Sequence, residues 1–188
     1  MNSDTILSIF LGIGLAASVG FRVFVPLFAL SLASHFGIWE LNESWQWVGS
    51  LAAVITLGVA TIVEIFAYYI PFIDNLLDSI AIPLAAIAGT AVMVSTVADL
   101  NPVITWSLAI IAGGGTATAI AGSSAATRLT STGTTGGLGN PVVSTLETGT
   151  AITLSAFSIF LPILAFVLVL LVLIIVFRFY KKIKSAKG

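Results

Sequence analysis

The sequence predicts an all-α membrane protein, a compact bundle of about five transmembrane helices with broken or re-entrant elements. Three observations carry that reading. Mean hydropathy is +1.13. Of the 188 residues only 8% are charged, about a third of the ~25% usual for a soluble domain. Apolar runs near the ~20 residues of a membrane span recur along the chain, and glycine, proline and single ionisable residues interrupt them. A chain of this length holds one such bundle, a single domain over residues 1–188, and no separate soluble domain.

The opening Met1 to Thr5 holds an acid and no Lys or Arg, so the run from Ile6 to Ala17 reads as a retained helix rather than a cleaved signal. The first apolar segment, from about Thr5 to Ser34, would be ~45 Å long as one helix, against a ~30 Å hydrocarbon core. Gly20-Phe21-Arg22 and Pro26 make it a broken helix with Arg22 near the break; a long tilted helix with a snorkelling Arg22 is the alternative. His35 to Trp47 is a loop whose Trp39, Trp45 and Trp47 suit headgroup depth. The second span, Trp47 to about Ile70, carries Glu64 inside it and Tyr68 and Tyr69 at its far interface. After Pro71, Asp74 and Asp78 stand four apart on one helical face. The third span, about Ser79 to Ala98, is rich in the small residues of closely packed membrane helices, and Asp99 to Pro102 is a tight turn. A fourth span begins near Pro102. The last, about Thr150 to Phe179, contains Pro162 and leads into a tail with five of the seven Lys and Arg, which places the C-terminus in the cytoplasm.

Between Gly122 and Asn140 fourteen of nineteen residues are Ser, Thr, Gly or Asn, and Arg128 is the only charge before Glu147. Non-helical polar backbone at membrane depth is tolerated only inside protein or beside a watery cavity. Gly113 to Glu147 therefore reads as a broken or re-entrant element lining a polar site, or else as an ordinary extramembrane loop. Asn140 occupies the N-cap position of a helix from Pro141, whose first amides could face an anion, and Ser144 and Glu147 share a side of it. The glycines lack the GxxxxGK[ST] pattern, so a nucleotide-binding loop is excluded. The run Ala16 to Arg22 aligns with Gly122 to Arg128, each ending in arginine. That alignment predicts an inverted repeat, with halves 4–71 and 102–180 joined by a helix at about 79–98.

Arg22, Arg128, Glu64 and Glu147 are ionisable groups in or beside apolar segments, where a charge costs ~3 kcal/mol on insertion scales. Pairs Arg22–Glu64 and Arg128–Glu147 would nearly cancel that cost, with contacts between the halves as the other arrangement. Asp74 and Asp78, with Glu64, are either a hard-cation cluster or a solvated acidic face. There is no cysteine and one histidine, His35, so no thiolate or paired-histidine metal site is expected, and no cofactor. No nucleophile–base pair is legible, so the chain is not expected to be an enzyme. A net charge of −1 gives no surface for nucleic acid.

Three stretches carry a resemblance: Ala17 to Leu27 (ASVGFRVFVPL), the spacing Glu64, Pro71, Asp74, Asp78, and Gly139 to Glu147 (GNPVVSTLE). On these the chain resembles the small bacterial membrane-protein family filed as the domain of unknown function four-one-two-six, over nearly its whole length. The resemblance implies a multi-spanning protein of the inner membrane and carries no substrate; it also implies a lysine near Arg128 that Ser123 to Thr127 lacks. Gly20 to Pro26 is faintly similar to the arginine–proline re-entrant motif of DedA-type lipid-carrier flippases, in a different order. The expected function is a small transporter or flippase-like protein moving an anionic lipid or small solute, coupled to protons or cations. Arg22, Arg128, Asn140 and Ser144 would hold the anion, and Glu64 and Glu147 the proton or cation. The alternative is a non-transporting scaffold or assembly factor with structural buried ion pairs. Expected partners are membrane lipids and the substrate, with homo-oligomer formation left open.

Overall fold

The computed structural model describes residues 3–98 and 100–185, and every regular element among them is helical. Helix α1 (Ser3–Val19) and helix α2 (Phe24–His35) are the two halves of the first apolar segment, separated where the break was expected. Pro26 lies in the first turn of α2, where a missing N–H costs nothing, so the break falls at Gly20 to Val23 instead. Gly20 is needed there: a Cβ would stand 2.6 Å from the Ile120 Cβ and 2.7 Å from the Ala117 carbonyl oxygen. A short 3₁₀ turn, Glu43–Gly49, then bends by 64° into α3 (Leu51–Ala67), which Ser50 caps by accepting from the Ala53 N–H. Trp39 and Trp45 fold back onto the core, and the Trp39 indole donates to the Ile159 carbonyl at 2.9 Å; Trp47 remains exposed.

Helix α4 (Pro71–Thr96) runs unbroken through Asp74 and Asp78 into the third span, so the acidic stretch is part of that helix. Of the expected turn that follows, Asp99 lies outside the described residues; Asn101 caps α5 (Pro102–Leu108) by accepting from the Val103 N–H at 2.9 Å. A π-helical stretch, Ala109–Gly114, joins α5 to α6 (Gly115–Thr135). The polar stretch thus corrects the expectation of a non-helical backbone: it is helix, broken by a short turn at Gly136 to Gly139. Its hydroxyls explain why. Thr118, Thr127, Thr130 and Thr134 each donate to the carbonyl four residues back, which satisfies them without water. The turn needs Gly136 and Gly137, at φ +63° and +90°, before α7 (Asn140–Phe160) begins. Leu161 leaves the helix because Pro162 disfavours helical geometry in the residue before it, and α8 (Pro162–Ser185) follows.

Helix α1 sits at the centre, packed against α2, α4, α6, α7 and α8. Ser18 on it donates to the Ala151 carbonyl and meets the Ser155 hydroxyl, each at 2.7 Å, and Phe10 stacks on Phe166. The distribution of polarity is that of a protein in lipid. Ile111, Val103 and Phe177 are 74% exposed, while Arg22 and Arg128 are 2% exposed. Leu76–Thr96, Pro102–Thr135 and Asn140–Phe160 are long and apolar enough to cross a bilayer, and the bent pair before and within α3 makes up to four. The shorter apolar helices Ser3–Val19, Phe24–His35 and Pro162–Arg178 complete the bundle of a multi-spanning membrane protein.

The π stretch meets α4 backbone to backbone. A Cβ on Gly113 would stand 2.6 Å from the Gly89 carbonyl oxygen, whereas one on Gly115 would meet nothing within 4 Å. Gly113→Val should therefore cost ~1–3 kcal/mol through overpacking, and Gly115→Ala should be neutral or stabilising. Thermal unfolding of the detergent-solubilised variants checks both.

Candidate functional site

The ionisable residues of the two distant halves meet in one buried cluster. Arg22 comes from the break between α1 and α2, Arg128 from α6, and Ser144, Glu147 and Thr148 from one side of α7, as their spacing predicts. Both guanidinium groups donate to the same carboxylate oxygen. Arg22 Nη1 reaches Glu147 Oε2 at 2.9 Å, and Arg128 Nη2 makes a close ion pair with that atom. Arg128 Nε and the Ser124 hydroxyl donate to the other oxygen, Oε1. Glu147 is thus the shared counter-ion of two arginines.

Every side-chain nitrogen of Arg22 has an acceptor. Its Nε donates to Thr148 Oγ1 at 3.1 Å, Nη1 also to the Phe21 carbonyl, and Nη2 to the Ser144 carbonyl. Arg128 differs. Its Nη2 donates to Ser144 Oγ at 3.0 Å, and Asp78 Oδ1 lies 3.6 Å from its Nε, but Nη1 is buried with no acceptor among the described residues. An unmatched buried donor on a charged group is costly, ~1–3 kcal/mol or more. Tyr68 supplies the floor of the cluster. The guanidinium carbons of Arg22 and Arg128 lie 4.0 and 4.4 Å from its ring centroid, a cation–π arrangement with both cations on one ring.

Three sequence expectations are corrected here. Glu64 does not pair with Arg22 by hydrogen bond. Its two oxygens accept from the backbone N–H groups of Val23 and Phe24, at 2.7 and 2.9 Å, because the break leaves the first amides of α2 without helical acceptors. Asn140 caps nothing. Gly139 holds the cap position, and the Asn140 side-chain amide donates to Asp74 Oδ2 and Thr132 Oγ1, both at 3.1 Å. The amides proposed to face an anion are consumed within the turn: Gly139 donates to Thr135 Oγ1, Asn140 to the Gly137 carbonyl, and Val142 and Val143 to the Gly139 carbonyl. Nor does the acidic trio gather. Asp74 is against Asn140, Asp78 against Arg128 and Glu64 against α2, and among the described residues no group of three metal-binding side chains forms.

Sequence reasoning missed Tyr68, Ser124 and Thr148. Tyr68 was read as an interfacial aromatic, but it is 8% exposed, one helical turn past Glu64, and that i, i+4 relation to a buried acid was the available signal. Thr148 and Ser124 had none, since the segment around each is full of equivalent hydroxyls.

Removing one partner of a buried ion cluster strands the others, at ~3–5 kcal/mol. Glu147→Gln should lower stability by that amount, measured by unfolding in detergent. Tyr68→Phe should be nearly neutral and Tyr68→Leu should lose ~1–2 kcal/mol, because the ring face rather than the hydroxyl meets the arginines.

No curated protein and no solved structure matches this chain. One family does, and its description is a domain of unknown function, DUF4126, matched over residues 9–182. That span covers nearly all of the sequence, including Arg22, Glu64, Arg128 and Glu147, and the chain belongs to that family.

Proposed function

We propose that this protein is a small membrane transporter for an anionic substrate, in which Glu147 holds the place of the anion between Arg22 and Arg128. The observation that carries the reading is the convergence of both guanidinium groups on one carboxylate oxygen, beside an Arg128 Nη1 that has no acceptor among the described residues. Arginine's planar fork suits the bidentate binding of carboxylate or phosphate oxygens. A carboxylate in that position and an incoming anion compete for the same donors. When Glu147 takes a proton, the two arginines are left with a charge that an anion can neutralise. One proton and one anionic charge then occupy the cluster together, which is the stoichiometry of a proton-coupled symporter.

Glu64 has a separate part in this scheme. Its carboxylate closes the break between α1 and α2, so its charge fixes the backbone that presents Arg22. The two arginines aligned by the small-residue runs meet on one glutamate, which favours an inverted repeat with a midplane site. Placement in a bacterial inner membrane rests on the resemblance to the family, and the cytoplasmic side of the C-terminus on the basic tail. A second reading has its own support: the near-complete burial of Arg22 and Arg128 equally suits a scaffold whose ion pairs only fix helix register.

Flux separates the two. In proteoliposomes an inward phosphate or organic-phosphate gradient should acidify the lumen, read with an entrapped pH dye. Arg128→Ala should abolish the signal, and Glu64→Gln should reduce it several-fold. Wild-type liposomes indistinguishable from protein-free ones would favour the scaffold, and flux unchanged in both variants would remove these residues from the mechanism.

A further inference from the structure

Asp78 is the least enclosed charge of the cluster. Its side chain is 21% exposed, against 7% for Glu147, 2% for Arg128 and 1% for Arg22. It stands on α4, and Arg128 Nε lies between its Oδ1, at 3.6 Å, and Oε1 of Glu147, at 3.4 Å. The ion pairs of the two arginines are to Glu147 and to Asp78, so at rest two cations face two carboxylates and the cluster is neutral. Two nearby acids stand outside that balance, each offset by a helix N-terminus. Glu64 accepts from the amides that open α2, and Asp74, in the first turn of α4, accepts from the Asn140 amide.

With Glu147 alone opposite them, the arginines would keep a net positive charge at rest, and an anion could enter without a proton. With Asp78 present, a lone anion would leave a net negative charge, which an apolar bundle strongly disfavours. One proton on either carboxylate frees one positive charge, and one anionic charge restores neutrality. Two anionic charges would need two protons. Arg128 also has a donor to offer. Glu147 lies along the Nε–Nη2 edge of its guanidinium, so Nη1 stands at the far corner, buried and without an acceptor among the described residues. We infer that Asp78 is the coupling residue of the site, the second counter-ion that obliges a proton to accompany each anion and sets the substrate at a single negative charge. This rests on the proton-coupled anion reading and adds the residue that enforces its ratio. The charged and titratable groups facing Asp78 are Arg128 on α6, Glu147 on α7, Arg22 at the break, Asp74 one turn earlier on α4 and Tyr68 at the end of α3. Of these, Arg128 is the one in ion-pair contact with it among the described residues.

The test uses the full chain in a non-ionic detergent and two tetrahedral probes that do not titrate near neutral pH, methanesulfonate with one charge and sulfate with two. Calorimetry in buffers of different ionisation enthalpy gives both the affinity and the protons taken up. Wild type should take up close to one proton with each methanesulfonate, its affinity falling about tenfold per pH unit on the alkaline side. It should bind sulfate at least tenfold more weakly. Asp78→Asn keeps a net positive cluster at rest, so it should bind methanesulfonate at least as tightly, with close to no proton uptake and a flat pH profile. The same variant should narrow the gap to sulfate at least tenfold, and Asp78→Glu should restore the single proton. Unfolding temperatures within a few degrees of wild type certify each variant. A full proton per methanesulfonate in folded Asp78→Asn, or no binding by it, would overturn the role of Asp78 while the anion reading stands. So would equal affinity of wild type for the two probes, which needs no variant. Wild type that binds neither probe, or binds methanesulfonate without a proton, would overturn the coupled-anion reading and this inference with it.

Discussion

One carboxylate shared by two arginines is the constraint on which the arrangement of this bundle depends. Inside an apolar bundle a lone guanidinium is costly, and two of them brought together without a counter-ion would repel. Glu147 makes their approach favourable, and in doing so it fixes three separate parts of the chain at once: the α1–α2 break, α6 and α7. Breaking one partner strands the others, so the cluster acts as a unit rather than as separable pairs. Its geometry sets what surrounds it. The break in the first segment delivers Arg22 and frees the amides that Glu64 accepts from, and the end of α3 is held where its Tyr68 ring lies against both cations.

The same logic explains how so polar a stretch survives in so apolar a protein. A hydroxyl on a helix can donate to a carbonyl of the turn before it, so α6 exposes threonines without leaving those donors unmatched. The small residues on α4 and the π stretch do a different task, allowing the two backbones to touch at Gly89 and Gly113. Together they leave α1 enclosed on all sides and α3 at the edge, flanked by apolar grooves. A further cavity of about 470 Å³ lies on the other flank of α3, walled by α2 and α7. The edge helix α3 thus leaves one face exposed while its C-terminal end reaches the charges through Tyr68.

Much of this was legible in the residues, and the failures have a common cause. The membrane class, the break at Gly20 to Arg22, and the identity of Arg22, Arg128, Ser144 and Glu147 as interior polar groups follow from hydropathy and helical spacing, which are local properties. Pairing is not local. Of the two arrangements weighed for Arg22, a partner within its half and a contact between the halves, the second holds, because a carboxylate beside a broken helix has backbone amides as competing donors and these took Glu64. Asn140 was assigned to a cap because its neighbour is Pro141, while the fold offered its amide a buried partner in Asp74. The stretch from Gly122 to Asn140 was read as non-helical from composition, although i to i−4 hydroxyl bonding makes Ser and Thr compatible with helix once water is excluded. In each case the residue type was informative, and the partner depended on packing between segments far apart in the chain.

The claim that Glu147 and a substrate anion compete for one arginine pair has a direct thermodynamic signature. Calorimetric titration of the purified protein with inorganic phosphate, repeated in buffers of different ionisation enthalpy, counts the protons taken up per anion bound. The account predicts close to one proton in wild type and close to none in Glu147→Gln, where the exchange has no carboxylate to neutralise. Binding with no proton uptake in wild type would contradict it.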